Sequence, residues 1–120
     1  MSTTETTFAV ERFRRGIEER DTNALLSMYA DDAEIRIVDR TSPPSGPRVL
    51  RGRQAIAEYL TDVNGRDMTH ELERVVAQPD GVAYLEACRY ADGTRVLCSA
   101  VLDLAGGRIV RQSGVQAWDE

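Results

Sequence analysis

Several features that define common protein classes are scarce in this chain. It has two cysteines, one histidine and 6% aromatic residues among 120. No apolar run approaches the roughly 18 to 20 residues that cross a bilayer. Small secreted domains usually carry more cysteines, and the first residues, MSTTETT, lack the basic start and apolar centre of a signal peptide. We therefore expect a cytoplasmic protein without a membrane segment.

Excess positive charge is also missing. The net charge is −5, whereas a nucleic-acid partner requires a basic footprint. The arginines of the first predicted helix, Arg12, Arg14 and Arg15, are mixed with glutamates, which is typical of a solvated face. The composition therefore argues against nucleic acid as a partner.

Motifs for metals and cofactors are absent as well. One histidine, with two cysteines on opposite faces of a sheet (see below), does not make an ordinary zinc site. The sequence has no phosphate loop, G-x-S-x-G elbow or dinucleotide fingerprint. We therefore predict neither a metal nor a cofactor.

The first half of the chain has the apolar spacing of helices around one strand. Asp21 is a typical N-cap for the second helix, and Asp31 and Asp32 are expected to end it. Ile35 and Ile37 then alternate with polar residues, as in a half-buried strand. The predicted elements are helices over residues 5–20, 22–29 and 53–63, and a strand over residues 33–39.

The second half reads as a series of strands joined by turns. Three turn sequences, Pro79-Asp80-Gly81, Asp92-Gly93 and Gly106-Gly107, are strong hairpin signals. The predicted strands cover residues 69–78, 82–90, 94–104 and 108–118. Helices followed by an antiparallel meander predict one α+β domain over residues 1–120, with helices on one face of the sheet.

Turn type sets which side chains face inward. If Asp92-Gly93 is a two-residue turn, Tyr84, Glu86, Cys88 and Tyr90 lie on the outer face of the sheet, which suits a partner subunit. Cys88 and Cys98 then point apart and form no disulfide. Glu86 is expected to form an ion pair with Arg74 across strands.

The sequence allows two choices for the inward-facing side chains of each of the two flanking strands. A three-residue loop at Ala105-Gly106-Gly107 turns Val110, Gln112, Gly114, Gln116 and Trp118 inward, and a two-residue loop turns Ile109, Arg111, Ser113 and Val115 inward. In the strand over residues 69–78, burial of two unpaired glutamates is costly. We therefore favour His70 and Leu72 as the inward residues.

Four segments of this sequence resemble the SnoaL-like branch of the nuclear transport factor 2-like superfamily: YADDAEIRI, LRGRQAIAEYL, YADGTRV and GGRIVRQ. The resemblance covers nearly the whole chain. It implies a conical α+β fold with a pocket between a curved sheet and the helices, and a homodimer through the outer face of the sheet. The family includes isomerases, cyclases, dehydratases, epoxide hydrolases and many proteins that are not enzymes.

The resemblance also indicates which positions of this chain match known active sites. Phe13, Ile37 and Ala100 match the tyrosine, the aspartate base and the second acid of ketosteroid isomerases, and none of the three transfers a proton. Epoxide hydrolases of this fold have a carboxylate in the last strand, where this chain has Gln112 and Gly114. Neither mechanism is therefore expected here.

Two residues remain as a candidate catalytic pair. Asp39 lies two residues beyond Ile37 on the same strand face, at the rim of the expected pocket, where a raised pKa would suit a general base. His70, the only histidine, is its expected partner. Asp39 starting the next loop and a purely structural histidine are the alternatives. The expected pocket residues are Phe13, Ile37, Tyr59, Ala100, Gln112, Gln116 and Trp118, with core packing of Trp118 and solvent exposure of the glutamines as the alternative.

Two hypotheses about function follow. In the first, the protein is an acid–base isomerase, cyclase or dehydratase that acts on a hydrophobic carbonyl compound. In the second, it is a non-catalytic module that binds an apolar small molecule or supports assembly. A deep, open cavity would favour the first hypothesis, and a cavity filled by Phe13, Leu72 and Trp118 would favour the second.

Overall fold

The computed structural model describes residues 8–119. These residues form three helices and six strands. The helices are α1 (Val10–Glu18), α2 (Thr22–Leu26) and α3 (Arg53–Asn64). The strands are β1 (Tyr29–Val38), β2 (Arg48–Arg51), β3 (Met68–Gln78), β4 (Gly81–Tyr90), β5 (Arg95–Ala105) and β6 (Arg108–Trp118).

The six strands form one curved, open sheet in the order β2-β1-β6-β5-β4-β3. The α+β class predicted from the sequence is confirmed. The sheet is mixed, however, because β1 pairs with β6 in parallel while all other pairs are antiparallel. Helix α1 packs against β3, and α3 packs against β1 and β2, so the helices cover the concave face.

A single large cluster of apolar side chains fills the space between the helices and the sheet. Its most deeply buried members include Phe13 from α1, Ile35 from β1 and Ile56 from α3, which are at most 1% exposed. Leu102 of β5 and Ile109 of β6 are also fully buried in this cluster. Burying a side chain of this size contributes roughly 1.5–3 kcal/mol relative to exposure.

The junction between α2 and β1 lies earlier than the sequence indicates. Asp21 caps α2 as predicted, since its carboxylate accepts a hydrogen bond from the Ala24 N–H at 3.0 Å. The helix ends at Leu26, and Asp31 and Asp32 are exposed residues of β1 rather than the end of α2. They lie where the β1–β6 register shifts, so a bulge accommodates the two acids.

The hairpin between β4 and β5 has a three-residue loop, and this corrects the predicted register. The Tyr90 N–H bonds to the Thr94 carbonyl at 2.8 Å, which leaves Ala91, Asp92 and Gly93 in the loop. Gly93 has a φ of 94°, the left-handed conformation that such loops need at their last residue. A shift of one residue moves every β4 side chain to the opposite face, so Tyr84, Glu86, Cys88 and Tyr90 point inward.

The hairpin between β5 and β6 has a two-residue turn, Gly106-Gly107, since Ala105 pairs with Arg108. Both glycines have positive φ, as a type I′ turn requires. Ile109 is therefore buried, and a register shift opposite Asp103 and Leu104 then changes the alternation. Beyond the shift, the inward residues are Gln112, Gly114, Gln116 and Trp118. The two-residue loop therefore predicts the inward face correctly at Ile109, and the three-residue loop predicts it correctly from Gln112 onward.

Strand β3 forms one edge of the sheet, and α1 holds it through side chains. His70 and Leu72 face inward as predicted, with exposures of 9% and 3%. The Leu72 carbonyl accepts a hydrogen bond from Arg14 at 2.6 Å, and the Leu72 N–H donates to Glu18 at 2.9 Å. These bonds lie beside the register shift between Leu72 and Arg74, so α1 fixes the strand that carries His70.

Candidate functional site

A cavity of about 100 Å³ lies between the concave face of the sheet and the helices. Its wall combines apolar residues of the helices with polar residues of β3, β4, β5 and β6. The polar residues that the sheet contributes to the wall include His70, Tyr84, Glu86, Cys88, Gln112 and Gln116. Small-molecule sites commonly have this character, an apolar concave wall with a few convergent polar groups.

The most polar part of the wall is a buried pair formed by His70 of β3 and Glu86 of β4. The Nδ1 atom of His70 lies 2.8 Å from Oε2 of Glu86, and the two side chains are 4% and 12% exposed. Cys88 adds a thiol whose Sγ lies 3.3 Å from both atoms. Because an ionised carboxylate only accepts hydrogen bonds, we assign the Nδ1–H and the thiol as donors to Glu86.

The second ring nitrogen of His70 has no such partner. Nε2 is buried and makes no hydrogen bond within residues 8–119. Buried polar atoms in native proteins are nearly always paired, so an unpaired one calls for an explanation, of which a catalytic role is one. With the proton on Nδ1, Nε2 presents a free lone pair, as in a histidine that a carboxylate orients for proton transfer.

A second polar chain crosses the cavity wall from β1 to β4. The Tyr29 hydroxyl donates a hydrogen bond to Oε1 of Gln112. The Gln112 amide in turn donates to the Tyr84 hydroxyl oxygen at 3.4 Å. Burial raises the pKa of both tyrosines well above the ordinary value, so both stay protonated. The Tyr84 hydrogen has no acceptor within the described part of the chain and remains available to a ligand.

Asp39 and His70, the predicted catalytic pair, are not brought together. The Asp39 carboxylate accepts hydrogen bonds from the N–H and hydroxyl of Thr41 at 2.9 and 3.1 Å, so it folds back on its own loop. Partial burial acts to raise its pKa, but the hydrogen bonds from Thr41 and Ser42 outweigh burial and lower the pKa. The expected raised pKa is therefore not found, and Glu86 occupies the place expected for Asp39.

The predicted pocket residues divide into two groups. Tyr59, Gln112, Gln116 and Trp118 line the cavity. Phe13 and Ala100 are buried behind the wall at 1% and 4% exposure, and the Phe13 ring packs edge-on against Tyr84. Ile37 lines a second pocket of about 250 Å³ that also contains Asp39. This second pocket, called the mouth below, shares Tyr59, Arg66, Gln116 and Trp118 with the cavity.

The two cysteines both line the cavity and do not point apart, so the register that placed them on opposite faces is wrong. Both are free thiols. A hydrogen bond with Cys98, burial and the negative charge of Glu86 together raise the pKa of Cys88. The ligand atoms of His70, Glu86 and Cys88 lie within 4.8 Å of one another. The argument from diverging cysteines against a metal therefore no longer holds, although the hydrogen bonds among the three side chains account for their positions.

Sequence reasoning missed Tyr84, Glu86 and Cys88 because all three depend on the β4 register. The expected cross-strand pair of Glu86 with Arg74 does not form, since Glu86 faces His70. The local sequence does not decide this register, because the glycine of Asp92-Gly93 suits the last position of a two-residue turn and of a three-residue loop alike.

The fold and the cavity together define a cone-shaped α+β protein with a partly polar internal pocket. Residues 10–112 match the family model described as a SnoaL-like domain. The chain therefore belongs to the SnoaL-like family, as its sequence motifs indicated. Among curated protein sequences, none matches the chain significantly. In the described part of the chain, no helix is both long and apolar enough to cross a membrane.

Solved structures of similar shape agree with this assignment. A protein of unknown function from Mesorhizobium loti, called NTF2-like, has a TM-score of 0.79 at 23% identity, covering 90% of this chain and 87% of its own. The epoxide hydrolase/cyclase-like enzyme SalBIII of pyran ring formation in salinomycin has a TM-score of 0.70 at 24% identity, covering 90% and 87%. An NTF2-like protein of unknown function from Burkholderia xenovorans has a TM-score of 0.73 at 16% identity, covering 90% and 79%. These similarities establish the fold.

Proposed function

We propose that the protein is a cofactor-independent acid–base enzyme that acts on a hydrophobic carbonyl compound bound in the cavity. The observation that carries this proposal is the buried pair of His70 and Glu86, which leaves Nε2 of the histidine unpartnered among the described residues. The similarity to SalBIII, a cyclase-like enzyme of the same fold, is consistent with a reaction of this class.

Nε2 of His70 is the proposed base. It removes a proton from the carbon next to the substrate carbonyl, and the electron pair of that C–H bond moves onto the carbonyl oxygen to form an enolate. Glu86 holds the imidazole through Nδ1 and stabilises the imidazolium that results. Return of the proton to another carbon gives an isomer. Attack of the enolate on a second carbonyl carbon of the same molecule gives a ring, because the electron pair of that C=O π bond moves onto its oxygen, which takes the proton back from the imidazolium.

Tyr84 is the proposed partner of the carbonyl oxygen. Its hydroxyl accepts a hydrogen bond from Gln112 and keeps its own proton because burial raises its pKa. A preorganised donor of this kind stabilises charge that develops on an oxygen, and removal of one such donor typically costs about 10²–10³ in rate. Tyr59, Gln116 and Trp118 are proposed to contact the apolar part of the substrate.

In this proposal His70 is the base, the role that the sequence suggested for Asp39, and Glu86 replaces Asp39 as the carboxylate partner of His70. The Asp39 carboxylate is occupied by Thr41 and lines the mouth, so it is placed to meet a ligand as it enters. Phe13, Ile37 and Ala100 support the wall from behind or from the rim.

The test uses exchange of α-protons in deuterium oxide, followed by proton NMR. The probes are 2-tetralone and ethyl benzoylacetate, two apolar carbonyl compounds with acidic α-protons. We expect the wild-type protein to accelerate exchange in at least one of them, and His70→Asn to lower the acceleration about 100-fold, in line with the usual contribution of a general base. Glu71→Gln, on the exposed side of the same strand, is the matched control.

The alternative is a non-catalytic protein that binds an apolar small molecule. Binding of 2-tetralone in the cavity without any acceleration of exchange by the wild type would contradict the enzyme proposal and favour this alternative. Equal acceleration by wild type and His70→Asn would remove His70 from the mechanism.

We further propose that two copies pair through the outer face of the sheet. Large apolar residues lie exposed there on adjacent strands, with Leu97 at 45%, Val101 at 51% and Val115 at 55%. Contiguous apolar surface of this kind commonly marks an interface. The two free thiols support the cytoplasm as the proposed location, since disulfides are rare in that compartment.

A further inference from the structure

A separate group of charged side chains surrounds the mouth, the pocket that shares Tyr59 and Trp118 with the cavity. Three arginines line it: Arg40 from the loop after β1, Arg48 from β2 and Arg66 from the segment after α3. The chain has no lysine, so all of its 15 positive side chains are arginines, and its net charge is −5. Three arginines around one small pocket therefore depart from the overall charge of the protein.

Two of these arginines lie on the aromatic rings that separate the mouth from the cavity. The guanidinium carbon of Arg40 is 4.1 Å from the centre of the Trp118 ring, and that of Arg48 is 5.3 Å from the centre of the Tyr59 ring. Both rings line the mouth and the cavity. Cation–π contact over an aromatic face fixes the position of a guanidinium while its N–H groups stay free to bind a ligand.

The acids of this region leave those two arginines without a partner. Asp62 pairs with Arg66 at 2.6 Å. Asp39, the carboxylate that lines the mouth, is bonded to Thr41. Within residues 8–119, neither Arg40 nor Arg48 lies within ion-pair distance of a carboxylate. The region thus has three positive and two negative charges, with the positive excess on Arg40 and Arg48.

We propose that the mouth binds the carboxylate of a small organic acid whose apolar part enters the cavity. A guanidinium presents a planar fork of N–H donors that matches the two oxygens of a carboxylate. The inference builds on the proposed function in one respect, since it names the substrate class as carbonyl compounds that carry a carboxylate. The anionic end stays at Arg40 and Arg48, and the reacting carbon lies deeper, beside His70.

The test compares two probes of nearly equal shape, 2-naphthoate and its neutral amide, 2-naphthamide. Isothermal titration calorimetry gives both affinities, and the indole N–H signal of Trp118, the only tryptophan, reports binding at the mouth. We expect the wild type to bind 2-naphthoate about tenfold more tightly than the amide, with a shift of the indole signal. The preference should weaken at high salt, because exposed charges are screened.

Variants of the two arginines test whether they cause the preference for 2-naphthoate over the amide. Arg40→Gln and Arg48→Gln should each reduce it, and the double variant should bind the two probes about equally, since only charge-assisted bonds distinguish them. Arg15→Gln, which removes an exposed arginine of α1, should keep the wild-type preference. Equal affinity of the wild type for the two probes, or a full preference in the double variant, would overturn the proposal.

The outcome is separable from that of the proposed function, because binding requires no turnover. A charge preference that persists in His70→Asn, together with absence of proton exchange in the wild type, would support the anion site and contradict only the enzyme. Proton exchange in the wild type without any preference for 2-naphthoate would support the enzyme and contradict only the anion site.

Discussion

His70 and Glu86 form a buried hydrogen-bonded pair that links the edge strand β3 to its neighbour β4, with 2.8 Å between Nδ1 and Oε2. The pair lies beside Cys88 in a small cluster whose other buried members, Met68 and Val96, are apolar. Removing one partner of such a pair leaves the other without its hydrogen bond, at a cost of about 1–3 kcal/mol. The pair therefore contributes to stability, and in the proposed mechanism it also carries the chemistry.

Glu86→Gln separates these two contributions. The amide oxygen still accepts a hydrogen bond from Nδ1, so we expect the free energy of unfolding to fall by less than about 1 kcal/mol. The charge that stabilises the imidazolium is lost, so proton exchange should slow about tenfold or more, but less than in His70→Asn. Urea unfolding and the NMR exchange assay measure the two effects. Unchanged exchange in a folded Glu86→Gln protein would contradict the role of Glu86, and Glu71→Gln is the control.

Cys88 is expected to resist alkylation. Its hydrogen bond with Cys98, its burial and the charge of Glu86 raise its pKa, and only the thiolate reacts. At pH 8 iodoacetamide should therefore modify Cys98 first, as mass spectrometry of the tryptic peptides can show, because Arg89 and Arg95 separate the two cysteines. In Glu86→Gln, loss of the negative charge should speed the reaction of Cys88. Faster modification of Cys88 than of Cys98 in the wild type would contradict this assignment.

The dimer proposal concerns the outer face of the sheet. Leu97 and Val115 lie there on adjacent strands, and a charge placed between packed apolar surfaces is costly. We expect Leu97→Arg to convert the dimer into a folded monomer, measured by light scattering after size exclusion with circular dichroism as the folding check. Gln54→Arg, at an exposed position of α3 away from the outer face of the sheet, adds the same charge and serves as the control. A wild-type protein that is monomeric at all concentrations would rule out this interface.

Asp39 is expected to stabilise its loop in a pH-dependent manner. Its pKa is lowered in the folded protein despite partial burial, because Thr41 and Ser42 donate hydrogen bonds to it. A group with a lowered native pKa stabilises the fold above its unfolded pKa, about 3.9 for Asp, and loses that contribution as the pH falls through the native value. Asp39→Ala should thus lower the free energy of unfolding by about 0.5–1 kcal/mol at pH 7 and by little at pH 2.

Urea unfolding at the two pH values tests this prediction. Asp32→Ala removes a carboxylate of β1 that makes no hydrogen bond or ion pair within the described residues, so its effect should be small at both. An Asp39→Ala effect that is equal at pH 7 and pH 2 would show that the charge does not matter.

How far the sequence predicts this protein depends on what sets each element. Helix α3 and strand β6 lie where the apolar pattern places them, because their burial pattern and flanking glycines agree. The pattern does not predict which β4 side chains face inward, because that depends on whether Ala91 belongs to the loop. An Asp-Gly pair suits a loop of two residues and a loop of three residues equally. Since one residue of slip inverts a strand, the sequence pattern predicts the wrong face for Tyr84 and Glu86 although it predicts the fold correctly.

The β5–β6 hairpin shows a different limit. Its two glycines predict a two-residue turn, and the turn alone would direct Arg111 inward. The register shift beside Leu104 reverses that outcome and leaves Gln112 in the cavity wall. Irregularities of this kind arise from packing across the whole sheet, and a local sequence pattern does not specify them.

The bonds from the first helix to β3 have a consequence for the behaviour of the protein in concentrated solution. An edge strand exposes N–H and C=O groups on which a strand of another molecule can add, which is a route to aggregation. Here Arg14 and Glu18 occupy the C=O and N–H of Leu72, and Arg20 donates to the carbonyl of Met68 at 3.2 Å. Helix α1 and Arg20 thereby cover the part of this edge between Met68 and Leu72, where a strand of another molecule could otherwise add.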